Sequence, residues 1–551
     1  MTPQTPQTPS GTEIPAGSIK HGEVYTQRWV VDMILDLIGY TADRDLASLT
    51  ITDPACGGGA FLVAIAERLS QSCRKYDREL PFTSVQAFDL LERNVESSRR
   101  SIEATLIDEG WGQQVAQDLA SQWVKQGDYL LQDQHTQADL VVGNPPYIRI
   151  EDVPASRMDL YRRRNRTMTG RSDIYVGFYE QGLKALKPGG KLGFICADRW
   201  MRNQYGRNLR ELISENYAVD CLIVMHDVDA FEDKVAAYPA ITVIRSGPQQ
   251  AATVVDTTKE LGQRHSEELV SWVESSKTAN SEHVAFRAAR LPHWFQGTES
   301  WPMGSPERLA LLEDLSDRYP TLEETGVKVG IGVATGADSV FVTTDHDLVE
   351  RDRLLPLSMV RDAKTGNFIW TGHYLVNPWT EDGDLVAFED YPRLRSFFEK
   401  NRPALERRHV ARKTPNRWYR TIDKVDASLT SRPKLLFPDM KLNIHPTLED
   451  GGHYPHHNLY YMVTDRWDLE VLGGILLSRL AQTFVEAYAV RMRGGTLRFQ
   501  AQYLRRIRVP NPDVLTSDIT QALAEAFRRR DVEGATEAAL SAYGIDNLPA
   551  Y

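Results

Sequence analysis

Asn144-Pro145-Pro146-Tyr147 is the stretch of this chain whose residue types and spacing point most directly to chemistry. It follows the apolar run Asp139-Leu140-Val141-Val142-Gly143, so it leaves the end of a strand. The exocyclic amine of a nucleobase is a poor nucleophile because its lone pair is delocalised into the ring. An amide oxygen from Asn144 and the main-chain carbonyl of Pro145 could each accept one N–H from such an amine. That would draw the nitrogen toward tetrahedral geometry and aim its lone pair at an electrophile. Two successive prolines hold the carbonyl rigidly and remove competing N–H donors. Tyr147 could stack on the base, worth about 1–3 kcal/mol for an unstacked base. A Pro-stiffened strand exit with no ligand is the plainer alternative.

Three further positions fall at comparable places. Asp53-Pro54-Ala55-Cys56-Gly57-Gly58-Gly59-Ala60-Phe61 sits where a strand ends and a helix begins. In an open α/β sheet that edge forms the ligand crevice, and glycines let backbone approach a ligand closely. The run is neither GxGxxG nor a P-loop, which weakens dinucleotide and phosphate-cradle readings. A tight strand–helix turn without a ligand stays open. Asp89 closes the next strand, where a carboxylate accepts hydrogen bonds from ribose hydroxyls or simply caps a helix. Gly127-Asp128-Tyr129 adds a carboxylate and an aromatic at the same edge.

The elements that must position these residues read as an α/β domain with a mostly parallel sheet from about Tyr25 to Ser246. Strands are expected at Leu49–Asp53, Ser84–Asp89, Asp139–Gly143, Lys191–Ala197, Val219–Met225 and Ala240–Arg245. Helices are expected at Thr26–Ile38, stopped by Gly39, and at Ala60–Tyr76, Leu90–Ile107, Ile174–Leu186 and Arg207–Asn216. Pro188-Gly189-Gly190 reads as a turn feeding a strand. Residues 247–300 are polar and mixed and read as a connection. Beyond them short strands (Val340–Thr343, Lys434–Pro438, Leu459–Val463) and a helix–loop tail (Ser517–Tyr543) suggest a smaller α+β domain over 301–551.

The 551 residues are 42% hydrophobic and 25% charged, with net charge −11. A single core stops growing at about 250–300 residues, so at least two domains are expected. No uninterrupted apolar run approaches the roughly 18–20 residues of a membrane span. The Pro-, Thr- and Gln-rich start lacks the features of a signal peptide and reads as a disordered tail over residues 1–20. Cys56, Cys73, Cys196 and Cys221 show no CxxC spacing, which disfavours a zinc knuckle or disulfide scaffold and fits a reducing cytoplasm.

The order Tyr25-Thr26, Asp53–Phe61, Asp89, Asp128-Tyr129, Asn144–Tyr147 resembles the S-adenosylmethionine-dependent DNA adenine-N6 methyltransferases. More specifically it resembles the gamma-type (Eco57I- and TaqI-like) enzymes of restriction–modification systems. Specific motifs carry the resemblance over about 21–245; over 320–510 it is looser, through Val329–Gly336 and Leu497–Pro510. It implies a Rossmann-like methyltransferase domain over 21–246, followed by a DNA target recognition domain. It places Tyr25 and Thr26 beside the methionine moiety of S-adenosylmethionine. The loop holding Asp53, Pro54, Ala55, Gly57 and Gly59 would surround the donor, Asp89 its ribose, and Asp128 with Tyr129 its adenine. Asn144, Pro145 and Pro146 would orient the target amine. Tyr147 and Phe231, with Tyr238 the alternative and a core Phe the plain reading, would stack on the flipped base. Gln27 stands where the family more often has proline.

Arg157 to Arg171 reads equally as a solvated face or as a phosphate-gripping loop, with Arg162 and Arg163 the chosen contacts. Arg402 to Arg420 carries seven Lys or Arg against one acid, and Ala487 to Pro512 six arginines and no acid. In a chain of this net charge the two together favour a bound polyanion, double-stranded DNA, through Arg412, Arg417, Arg493 and Arg498. His453-Tyr454-Pro455-His456-His457 has no accompanying carboxylate or cysteine spacing, so no metal is expected. Asp362-Ala363-Lys364 and Asp439-Met440-Lys441 do not amount to a nuclease. RNA or protein-glutamine methylation, cytosine N4 and a catalytically silent DNA-binding subunit are the alternatives. A monomer in a bacterial or archaeal cytoplasm is expected, with a cognate endonuclease as possible partner.

Overall fold

Residues 24–132, 136–148, 150–232, 239–275, 281–489 and 496–549 are described by a computed structural model of the chain. Tyr238, Arg493 and the 1–20 tail lie outside these residues. The chain divides into two units, residues 1–307 and 308–551. No described helix is long and apolar enough to cross a membrane.

In the first unit the strand–helix alternation builds one sheet. In chain order its elements are α1 (Arg28–Leu37), β1 (Ile51–Asp53), α2 (Ala60–Tyr76), β2 (Val85–Asp89), α3 (Glu92–Asp108), α4 (Gln113–Trp123), β3 (Val124–Gln126) and β4 (Ala138–Gly143). Then come α5 (Ala155–Arg164), α6 (Tyr175–Lys184), β5 (Leu186–Ala197), α7 (Arg199–Arg202), α8 (Arg207–Asn216), β6 (Tyr217–Val224) and β7 (Pro239–Ser246). The last are β8 (Ala252–Thr257), α9 (Gln263–Glu274), β9 (Ser281–Glu282) and β10 (Phe286–Leu291). The strands lie in the order β3-β2-β1-β4-β5-β7-β6-β8-β10-β9. β3, β2, β1, β4 and β5 run parallel, and β7 is antiparallel to both neighbours. This is the mixed, mostly parallel Rossmann-like arrangement.

Three sequence expectations need correcting. Residues 247–300 are not a mere connection, because β8, β10 and α9 extend the sheet and cover it. Their strands mix apolar with polar side chains, as in the Arg287–Asp256 pair across β10 and β8, so they lacked the continuous apolar signal of central strands. Arg157 to Arg164 belong to helix α5 rather than to a loop. The expected strand at Val340–Thr343 is a helical turn, Asp338–Phe341, with only Val342–Thr343 extended. The α4–β3 pair was not foreseen.

Strand periodicity decides which helix each residue meets. On β5, Leu192 and Phe194 face α6, whose Gly182 lies against both. Gly193, between them, faces Ile34 and Ile38 of α1, and a Cβ there would fall 2.6 Å from the Ile38 Cγ2. Helix α1 therefore seats directly on the strand, and its position fixes the segment of 24–27 that leads into it.

The second unit carries a four-stranded antiparallel sheet in the order Val327–Ile331, Leu459–Thr464, Lys434–Pro438, Thr447–Glu449. A smaller four-stranded sheet and the helices Leu469–Leu477, Arg479–Tyr488, Ser517–Arg529 and Val532–Tyr543 complete it.

Gly193→Val would force α1 off β5. Overpacking of this kind costs about 1–3 kcal/mol, and denaturant unfolding is expected to show a loss of that size.

Candidate active site

Between β1 and β4 the sheet reverses its winding, since β1 leads outward to β2 and β3 while β4 leads to β5. Ligands of open α/β sheets bind at such a switch point, beyond the carboxyl ends of the strands. Here Asp53 ends β1, and Gly143 hands β4 over to Asn144. The cleft above them has about 1050 Å³ of space, counting the solvent at its open mouth. Tyr25, Thr26, Pro54, Ala55, Gly57, Asp89, Asp128, Tyr129, Asn144, Pro146 and Tyr147 all line it. Asp53, Gly59, Pro145 and Phe231 stand just behind the lining.

The glycine loop is shaped by its neighbours. The Asp89 carboxylate accepts from the Gly57 N–H at 3.0 Å through Oδ2, and from Leu91 N–H and the Asn94 amide through Oδ1. The Ser98 hydroxyl donates to the Gly57 carbonyl at 2.9 Å. Gly59 adopts φ +95°, and a Cβ there would press on the Ser98 backbone, so glycine is required on two counts. Asp128 accepts from the Tyr161 hydroxyl at 2.7 Å and from the Leu130 N–H at 3.2 Å. Burial raises the Asp128 carboxyl, against the pull of Tyr161 and Arg157. The cleft thus presents two carboxylates, and among the described residues no Lys, Arg or His lines it.

Asn144 is held by its amide nitrogen. Nδ2 donates to the Val24 carbonyl at 2.9 Å and to the Thr26 hydroxyl at 3.2 Å. Among the described residues its Oδ1 is buried without a partner, as is the Tyr147 hydroxyl. The chain segment supplying those acceptors is itself paired with 230–232. Gln27 N–H donates to Ala230 O at 3.0 Å and Glu232 N–H to Tyr25 O at 2.9 Å. Gln27 has φ −61°, a value proline could share, but its N–H bond and its side-chain bond to Phe231 O are contacts proline could not make. Phe231 meets Tyr147 edge to face at 6.2 Å, so the rings abut and leave no base-wide slot between them.

The family follows from comparison with known proteins. A family model described as the Eco57I restriction-modification methylase matches residues 62–231. Over 532 residues the chain is 42% identical to the type II methyltransferase M.PaeR7I of Pseudomonas aeruginosa, covering 96% of this chain and 92% of that protein. The chain belongs to the type II methyltransferases. The methyltransferase is also 39% identical to M.XhoI of Xanthomonas vasicola, covering 96% of this chain and 98% of that one. It shares its fold with the type IIL restriction-modification enzyme MmeI, solved in complex with DNA, with TM-score 0.53 and 11% identity over 95% of this chain and 74% of that one. It is a site-specific DNA methyltransferase.

Several cleft residues of the methyltransferase had no signal in the sequence. Tyr161 was hidden in an Arg-rich run, although Met158 and Tyr161 share one buried helix face. Asn94 and Phe178, which stacks on Tyr129 at 6.0 Å, lie in ordinary amphipathic helices. The chosen arginines also divide. Arg163 is exposed, Arg162 donates to Gly170 O, and Arg412 donates to Arg407 O. Arg417 lies 3.9 Å from Asp384, whereas Arg498 is ion-paired with Asp439.

Burial pushes the Asp53 carboxyl up to about 7, opposed by the Ala55 N–H and helped by Asp89. A folded-state value above the ordinary one means that this group supports the fold while protonated. That support is lost as pH rises toward about 7. Asp53→Asn stays neutral throughout. In denaturant titrations its stability relative to wild type is expected to rise by on the order of 2–3 kcal/mol between about pH 5 and about pH 8. A difference that does not change with pH would overturn this assignment.

Proposed function

We propose that this methyltransferase moves a methyl group from S-adenosylmethionine to N6 of an adenine flipped out of double-stranded DNA, as the modification enzyme of a restriction–modification system. The observation that carries the reading is the Asn144 amide, anchored through Nδ2, with Oδ1 buried and unpartnered among the described residues. An oriented acceptor of this kind is what a planar, delocalised amine needs.

S-adenosylmethionine supplies an electrophilic methyl group on a positively charged sulfonium. The residues present suit such a ligand, because two carboxylates line the cleft beside the glycine loop. Asp89 and Asp128 would hold the ribose and adenine, and Tyr25, Thr26 and the 53–59 loop the methionine part. A cation beside Asp53 would favour its ionised form. Asn144 Oδ1 and the Pro145 carbonyl each accept one amine N–H and aim the lone pair, so the rate gain comes from orientation. Tyr147 offers its ring to the base, and Phe231 backs it from the other side once the two rings part. Arg162, Arg163, Arg412 and Arg417 would grip DNA phosphates, with Arg493 and Arg498 the weaker assignments. In this reading the enzyme acts as a monomer, because hemimethylated sites need one strand modified at a time. It works in a bacterial or archaeal cytoplasm, where a cognate endonuclease cuts the same site.

The test is incubation with methyl-labelled S-adenosylmethionine and unmodified DNA, followed by nucleoside digestion and mass analysis. Label is expected in N6-methyladenine and to vanish in Asn144→Ala. Label in cytosine, or none in DNA, would overturn the base assignment or the reading. Thr26→Val removes one of two anchors of the amide, a bond worth about 0.5–1.5 kcal/mol, and should slow transfer about 3- to 10-fold. Donor binding should weaken as well, because in this reading Thr26 also holds the methionine part.

A further inference from the structure

The 308–551 unit brings together three side chains that lie far apart in sequence. Asp338 opens the helical turn Asp338–Phe341, and His456 and His457 precede the strand Leu459–Thr464. Backbone pairing sets them side by side. Val333 N–H donates to Pro455 O at 2.9 Å, and His457 N–H donates to Val333 O at 3.1 Å. The two segments touch so closely at Gly332 that a Cβ would fall 2.3 Å from the carbonyl oxygens of Pro455 and His456.

His456 is 2% exposed. Its Nε2 lies 3.0 Å from Asp338 Oδ2, and its Nδ1 is buried with no partner among the described residues. The Nδ1 of His457 is likewise buried and unpartnered, and the two rings sit 4.1 Å apart. One ligand atom from each of the three residues lies within 4.8 Å of the others. The other Asp338 oxygen accepts from the Thr335 hydroxyl, an outer bond that orients the carboxylate. Buried imidazole nitrogens without donors are rare unless something accepts their lone pairs.

We propose that Asp338, His456 and His457 bind one divalent first-row transition ion. Zn²⁺ is the ion that two imidazoles and one carboxylate fit best, with water in the fourth position on the half-exposed side of Asp338. The ion clamps the loop following Val327–Ile331 to the segment leading into Leu459–Thr464. It takes no part in methyl transfer.

The full chain is stripped with a chelator and dialysed against Co²⁺, a spectroscopic stand-in for Zn²⁺. One Co²⁺ per chain is expected, with visible bands of a four- or five-coordinate ion, displaced by an equivalent of Zn²⁺. His457→Ala and Asp338→Ala are expected to lose the bands while keeping their far-ultraviolet circular dichroism. These two are chosen because truncating the more deeply buried His456 endangers folding. His346→Ala, beside Asp347 on the surface, should bind as wild type does. Absence of the Co²⁺ bands in wild type, or their survival in both site variants, would overturn the proposal.

Discussion

An amide side chain offers a donor at one end and an acceptor at the other, and the end of Asn144 that faces the cleft is decided from outside its own loop. The Val24 carbonyl and the Thr26 hydroxyl both accept, so both draw the Nδ2 end away. Rotating the amide would set its oxygen against the Val24 carbonyl oxygen, while the Thr26 hydroxyl could turn to donate, so the mismatch is one lost bond in a buried site, about 1–3 kcal/mol. Those acceptors stand where they do because 25–27 pairs with 230–232 and because α1 seats on Gly193 of β5. The polarity of one side chain therefore depends on three segments separated by more than two hundred residues of chain.

The same cleft works against stability. Asp53, Asp89 and Asp128 crowd carboxylates around one cleft, and burial raises the carboxyls of Asp53 and Asp128. Hydrogen bonds from Gly57, Leu91, Ala55 and Leu130 main chain offset part of that cost. A contrast lies at the neighbouring strand end. There burial also opposes the charge on Asp198, yet Arg202 and His226 outweigh it and hold the carboxyl below its usual range. Where the fold wants a buried carboxylate for structure it supplies a cation. At the cleft the cation is weaker, since Arg157 stands 3.9 Å from Asp128 and burial still outweighs it.

The parts of the site legible from sequence are those carried on contiguous strand-end loops. Asp53–Phe61, Asp89 and Asn144–Tyr147 each follow a short apolar run, and helices Ala60–Tyr76 and Arg207–Asn216 have the bounds their periodicity implies. What could not be read depends on pairings across long sequence distances. The mixed side chains of β8 and β10 matched a polar linker as well as they matched a sheet margin. Tyr161 sits among five arginines, so its role in holding Asp128 was masked by charge. His456 appeared to have no carboxylate because Asp338 is 118 residues away.

The basic runs of the second unit make the same point about charge. Read along the chain, Ala487 to Pro512 has no acid, yet Asp439 pairs with Arg498, and Glu323 with Arg505. Arg508 approaches Glu324, and Arg402 lies between Glu399 and Glu406. An arginine already in an ion pair must give up that partner before gripping a phosphate, so its net gain from DNA is small. Arg412, bonded among the described residues to the Arg407 main-chain carbonyl, and Arg417, at 3.9 Å from a largely exposed Asp384, give up much less. Counterion release depends on phosphates neutralised, not on arginines present in sequence. In a chain of net charge −11 the footprint on a polyanion is thus set by the few cations that the fold has not already neutralised.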